Sequence, residues 1–148
     1  MKTVDFDLVS AWVSAKTGCT IPRTGTALGW IDSKGNLTAG VMYEDFTGPC
    51  ITATIAIDHG SVVVKSFLQV IFDYPFRQLG CRKILAVVAQ TNATSRKMVE
   101  RMGFEKEAVI FDVFPDGAMI IYSVTPSRCR YFDQEKEHGK KDKDCTYA

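Results

Sequence analysis

The stretch that decides the fold is residues 51–104, ITATIAIDHGSVVVKSFLQVIFDYPFRQLGCRKILAVVAQTNATSRKMVERMGF. β-Branched runs bounded by polar turns alternate here with two segments of helical spacing, so the stretch reads strand, loop, helix, strand, short loop, helix. Two apolar strands joined by a helix of this length predict a right-handed crossover, with 51–57 and 83–89 parallel in one sheet. The crevice beyond their C-terminal ends is then the natural ligand site. Both helices begin there, one after Asp58-His59-Gly60-Ser61 and the other at Thr91-Asn92. Their free backbone N–H groups suit an anionic cofactor.

Working outward toward the N-terminus, residues 1–4 read as a short edge strand. Asp5 or Asp7 can cap a helix carrying Leu8, Val9, Trp12, Val13 and Ala15 at helical spacing, and Gly18 suits its C-terminal stop. The segment 19–25 is a loop, and 26–32 and 37–46 form a hairpin across Ser33-Lys34-Gly35-Asn36. Within the central unit, Pro75 removes a backbone N–H from the helix expected over 64–79, which predicts a kink or break near Asp73-Tyr74. Gly80 ends that helix, and Gly103 stops the next. A closing hairpin follows over 106–114 and 118–124, turning at Pro115-Asp116-Gly117. The fold class is therefore α+β, a mixed antiparallel and parallel sheet flanked by helices.

With 148 residues, 46% hydrophobic and 24% charged, the chain has the length to bury a core as one domain over 1–132. Residues 133–144 hold no core-forming side chain, so 133–148 is expected to be a mobile charged tail. A net charge of +1 argues against nucleic acid as the main partner. No apolar run approaches the ~18 residues of a membrane span and no signal peptide is read, so no membrane role and a cytoplasmic location are expected. The five cysteines are scattered, with no Cys-x-x-Cys pair, and there are two histidines. Reduced thiols and no metal site follow.

Residues 92–104, Asn92-Ala-Thr-Ser95-Arg-Lys-Met-Val99-Glu100-Arg101-Met-Gly103-Phe104, resemble the Asn-x-x-Ser/Ala-x-x-hydrophobic-x-Glu-Lys/Arg-x-Gly-Phe signature of the Gcn5-related N-acetyltransferases. Preceded by the Phe72 to Gly80 run and the strand at 83–89, the sequence is similar above all to compact acetyltransferase-like proteins encoded in bacteriophage genomes. The resemblance implies that two central parallel strands splay into a V that holds acetyl-CoA. The pantetheine arm would lie beside Thr54, Ile55, Ala56 and Ile57. It implies cofactor contacts from Asn92 and Ser95. The family's phosphate loop, Gln/Arg-x-x-Gly-x-Gly/Ala, is replaced here by a run with one glycine, leaving Gly60, Ser61, Lys65 and Ser66 to rebuild the site.

Acetyl transfer to an amine requires a base for the ammonium, donors for the developing oxyanion and an acid or tolerance for the leaving thiolate. Glu44, Asp45, Asp58 and His59 lie near strand ends on the expected acceptor side. Where the family places a Tyr acid this chain has Val99, leaving Tyr122 or Tyr74 as substitutes. The catalytic candidates are thus Glu44, Asp58 and Tyr122, and the implied partners are acetyl-CoA and an amine acceptor. Oligomeric state is open between monomer and homodimer. A second reading is a non-catalytic protein of the same fold that binds a host or virion protein.

Overall fold

The computed structural model describes residues 1–58 and 65–134. The elements are β1 (Lys2–Thr3), α1 (Phe6–Thr17), β2 (Thr26–Ile31), β3 (Leu37–Glu44), β4 (Cys50–Ile57), α2 (Lys65–Asp73), β5 (Lys83–Ala89), α3 (Ala93–Met102), β6 (Glu105–Phe114) and β7 (Gly117–Val124). They build one seven-stranded sheet in the order β1-β2-β3-β4-β5-β7-β6. Among the described residues only β4 and β5 are parallel; the other neighbours run antiparallel. The crossover and both hairpins expected from the sequence are therefore present.

The faces of the sheet are covered unequally. On one face, α2 and α3 bury Phe67, Ile71, Phe72, Val99 and Met102 against Val41, Ile55, Ile84, Ile120 and Tyr122. On the other, α1 sets Val9 and Val13 against Ala27, Met42 and Ala56. The α1 backbone can come this close because Gly29 and Gly40 lie beneath it. A Cβ at Gly29 would stand 2.7 Å from Val9 Cγ2, and one at Gly40 2.9 Å from Val13 Cγ2. The N-cap is Asp5, whose side chain accepts from Leu8 N at 3.1 Å, and Gly18 closes the helix at φ 77°. Leu8, part of the apolar stripe in sequence, is exposed instead, because the sheet is met by the Val9 and Val13 side of the helix.

Pro75 acts as expected, with a specific outcome. α2 ends at Asp73 and the chain continues through a π-helical turn at Tyr74–Gln78, in which Leu79 N donates to Tyr74 O at 3.1 Å. Having no N–H, Pro75 cannot serve the carbonyl of Ile71 four residues earlier. The buried Tyr43 hydroxyl donates to that carbonyl at 2.5 Å, so a side chain from β3 satisfies the backbone group the proline orphans.

Beyond the sheet, Arg128 to Phe132 return over α2 and α3. Cys129 and Phe132 are buried, Arg130 N donates to Met102 O at 3.0 Å, and Phe72 stacks on Tyr131 with centroids 6.2 Å apart. Burial pushes the Cys129 thiol up to about 11. Asp133, the first residue of the tail expected to be mobile, still accepts from Arg77 Nη2 through its carbonyl at 2.7 Å. The rest of that expectation, from residue 135 on, lies outside the described residues. No described helix is long and apolar enough to cross a membrane.

Candidate active cleft

The cleft arises from an incomplete strand pairing. β4 and β5 are in register only at Cys50 with Lys83, Ile51 with Ile84 and Thr52 with Leu85. Beyond Thr52, β4 stays paired to β3 as far as Ile57 and β5 stays paired to β7 as far as Ala89. Each strand thus follows its antiparallel neighbour, and the two part. The β5-facing edge of β4 beyond Thr52 is left without a partner strand among the described residues.

A cavity of about 490 Å³ fills this gap. Its floor is Ala53, Ile55, Ala86 and Val88; small side chains at 53 and 86 keep it open. Asn92, Ser95, Met98 and Val99 of α3 form one wall, and Thr17 to Thr20 at the end of α1, with Glu44 and Asp45, form the other. Asn92 caps α3, its side chain accepting from Ser95 N at 3.1 Å. That bond uses only the oxygen, so the amide N–H₂ keeps its donors for other partners. Asp45, the residue after β3, sits in the left-handed region at φ 57°, which aspartate tolerates better than most residues.

Glu44 is the titratable group that the cleft perturbs. Partial burial, reinforced by the Asp45 charge, holds its carboxyl above the usual glutamate range. A carboxyl raised on folding weakens the native state as pH climbs from its ordinary value through the raised one, because the folded protein then carries a disfavoured charge. Glu44→Gln is therefore expected to raise the melting temperature at pH 7 and leave it unchanged at pH 4. Equal shifts at both pH values in a pair of melting curves would mean that the charge of Glu44 is not the cause.

The other candidates expected from the sequence are dispersed by the fold. Thr54 and Ile55 line the cleft, whereas Ala56 is buried under α1 and Ile57 packs in the core. Asp58 is turned to the α1 side, ion-paired to Lys16 at 2.5 Å, and lines a separate cavity with Leu8, Trp12 and Asp32. Tyr122 does not line the cleft. On β7 the even-numbered side chains face the helices, so Tyr122 is fully buried. Its hydroxyl donates to Glu100 Oε1 at 2.9 Å and accepts from Arg96 Nε at 3.4 Å, which ties α3 to the sheet. Burial pushes this phenol up, a poor setting for an acid. Tyr74, the other substitute, donates to Thr26 Oγ1 at 3.2 Å. Lys65 and Ser66 are exposed at the start of α2. His59, Gly60 and Ser61 lie outside the described residues. Reasoning from sequence missed Thr17 to Thr20, Met98 and Phe114 as cleft residues; the available signal was that 19–25 is a loop. Among the described residues no group of three His, Cys, Asp or Glu side chains could hold a metal ion.

No family model matches the sequence, and no curated protein is similar to it. Solved structures are similar in fold. A protein classed as a phosphinothricin N-acetyltransferase matches at 20% identity with a TM-score of 0.65, over 84% of this chain and 98% of that one. Spermidine N-acetyltransferase from Vibrio cholerae, in complex with CoA and spermine, matches at 19% identity with a TM-score of 0.60, over 72% of this chain and 68% of that one. Ribosomal-protein-S5-alanine acetyltransferase from Vibrio fischeri matches at 18% identity and 0.57, over 68% of this chain and 61% of that one. The chain has the fold of N-acetyltransferases, with its mixed sheet and parted parallel strands.

Proposed function

We propose that this protein is an acetyl-CoA-dependent N-acetyltransferase that transfers an acetyl group to an amine of a small molecule or a protein. The observation that carries the proposal is the gap between β4 and β5, in which an unpaired strand edge faces the capped N-terminus of α3. An extended arm bearing amides fits such an edge as an added strand. The fit extends to the Asn92 amide and Ser95 hydroxyl, both on the cleft wall, and to the first-turn N–H groups of α3. Lys65 and Ser66, with Gly60 and Ser61 before them, are the residues for the phosphates.

When bound, acetyl-CoA supplies an acyl group activated as a thioester, with a thiolate that leaves without strong acid assistance. The protein's share is to orient the two reactants and to take the first of the two protons that the acceptor nitrogen loses. Glu44, at the wall opposite α3, is the base: its raised proton affinity suits it to take a proton from the ammonium, freeing the lone pair that attacks the thioester carbon, and the second N–H proton passes to the departing thiolate or to solvent as the C–S bond breaks. Asp45 beside it favours a cationic acceptor. A backbone N–H on the free edge of β4 serves the developing oxyanion. Val99 stands on the cleft wall at the position that the resemblance gives to a tyrosine acid. The non-catalytic reading draws its support from that same Val99 and from the seclusion of Tyr122.

Asn92 provides the test, since its cap role and its ligand role separate. Asn92→Ala removes both, whereas Asn92→Asp keeps a capping acceptor, adds favourable charge at a helix N-terminus and deletes the amide donor. Asp is expected to retain most of the ~1 kcal/mol of apo stability that Ala loses, while both variants bind acetyl-CoA more weakly. Calorimetric titration alongside apo melting curves measures both. An Asp variant with full cofactor affinity would reduce Asn92 to a cap and remove the cofactor from this wall.

A further inference from the structure

Glu44 and Asp45 line two cavities at once. One is the cleft; the other is a smaller cavity of about 270 Å³, and these two residues are all that the two linings share. The walls of the smaller cavity come from distant parts of the chain: Thr24 and Thr26 before β2, Phe46 and Ile51 on either side of the turn into β4, and Tyr74 and Leu79 around the π-helical turn. All are fastened to the end of β3. Thr26 pairs with Tyr43, and a Cβ at Gly25 would stand 2.5 Å from the Tyr43 backbone oxygen. The Tyr74 ring lies 5.1 Å from that of Tyr43, and its hydroxyl donates to Thr26 Oγ1 at 3.2 Å. Single π-helical turns recur at functional sites, and this one brings Tyr74 to the cavity. Phe46 is 53% exposed, an aromatic ring offered to the same space. Among the described residues, no basic side chain lines either cavity and neither Glu44 nor Asp45 is ion-paired.

We infer that this cavity receives the acceptor, and that the acceptor is a small aralkyl amine with no carboxylate of its own, a substrate assignment that rests on the acetyl-transfer reading of the cleft. Its ammonium meets Glu44 and Asp45, where the two cavities join, and its ring lies against Phe46 and Tyr74. Size sets the first limit: the volume falls below the roughly 300–1,000 Å³ of pockets that take drug-sized ligands. Charge sets the second. Two carboxylates without a cation favour an ammonium, and an acceptor bearing a carboxylate beside its amine, as an amino acid does, brings a third negative charge to the same place. The walls set the third. Phe46, Tyr74, Ile51 and Leu79 offer rings and alkyl surface, which an aromatic body fills in offset or edge-to-face contact. The second ammonium of a diamine finds no carboxylate on that wall. Glu44, common to both cavities, then stands where the amine must lose its proton before it reaches the thioester.

Acetylation of 2-phenylethylamine, phenylalanine and 1,4-diaminobutane by the full chain tests this. The kcat/KM for 2-phenylethylamine is expected to exceed each of the others at least ~10-fold. Phe46→Ala, at an exposed side chain, is expected to raise KM for 2-phenylethylamine about 10-fold while kcat and acetyl-CoA affinity hold. Asp45→Asn keeps a residue suited to φ 57° and is expected to reduce the preference over phenylalanine about 10-fold. Phe111→Ala, on an exposed ring of β6 away from both cavities, changes neither value. Equal rates with the three amines, a preference for phenylalanine or 1,4-diaminobutane, or an unchanged KM in Phe46→Ala overturns the assignment. So does a protein that binds acetyl-CoA and acetylates none of the three, as an enzyme for protein amines would. Calorimetric titration with acetyl-CoA alone tells the failures apart: binding retained leaves acetyl transfer standing without this acceptor, and binding absent removes both.

Discussion

Gly103→Ala is expected to cost about 3 kcal/mol, the combined effect of a strained backbone and a blocked approach. Gly103 stops α3 at φ 109°, where an L side chain is disfavoured by ~1–2 kcal/mol. A Cβ there would stand 2.2 Å from the backbone oxygen of Arg128 and 3.0 Å from its carbonyl carbon. Backbone cannot swing aside as a side chain would, so the returning segment must lift. With it go the Arg130 N bond to Met102 O and the burial of Cys129 and Phe132. For a domain of this size the loss is roughly 6–12 °C in melting temperature. Gly18→Ala is the control. Gly18 also sits in the left-handed region, at φ 77°, but a Cβ there meets nothing within 4 Å, so only the strain remains, about 1 kcal/mol. Equal losses at the two positions in thermal unfolding would show that contact with Arg128 plays no part.

The second large effect concerns ligand linkage. Acetyl-CoA at a hundredfold excess over its Kd is expected to stabilise the protein by about 2.7 kcal/mol, because only the native state has the gap between β4 and β5 to bind it. Ser95→Phe should erase that shift. Ser95 lies on the first turn of α3 and lines the cleft, its hydroxyl makes no hydrogen bond within the described residues, and its backbone N–H serves Asn92 whatever the side chain. The apo stability should therefore change little, while a ring in the gap weakens binding at least ~100-fold, about 2.7 kcal/mol. Differential scanning fluorimetry with and without millimolar cofactor reads both quantities. A wild-type protein with no shift would remove the basis for acetyl transfer and favour the non-catalytic reading; a Ser95→Phe variant that keeps the shift would place the cofactor elsewhere.

Much of the architecture is legible in the chain. The central unit follows from period: β-branched runs at 51–57 and 83–89, with helical spacing between and after them, carry the parallel pair, the crossover and the position of the crevice. The capping residues Asp5 and Asn92 and the stops at Gly18 and Gly103 act through bonds to residues within a few positions, and local sequence is enough to place them. The break at Pro75 is a covalent consequence of its ring. Its resolution is not, because the donor that rescues the Ile71 carbonyl comes from Tyr43, 28 residues away, and no local rule reaches that far.

The site separates along the same line. Asn92, Ser95, Thr54 and Ile55 are singled out in the sequence by the resemblance of 92–104 and of the strand at 51–57, Asn92 also by its place as a cap, and the fold sets all four on the cleft. Glu44, Asp58 and Tyr122 are equal candidates on the chain, each near a strand end or on the closing hairpin; only tertiary structure tells them apart. Strand pleat sends Tyr122 under α3, the Lys16 ion pair holds Asp58 on the α1 side, and the parting of β4 and β5 leaves Glu44 on the cleft wall. Burial and ion pairing depend on which elements pack together, a property of three dimensions. For the same reason the apolar run of β6, in sequence an ordinary closing strand, is seen to be exposed only once the order of the sheet places it last among the described strands.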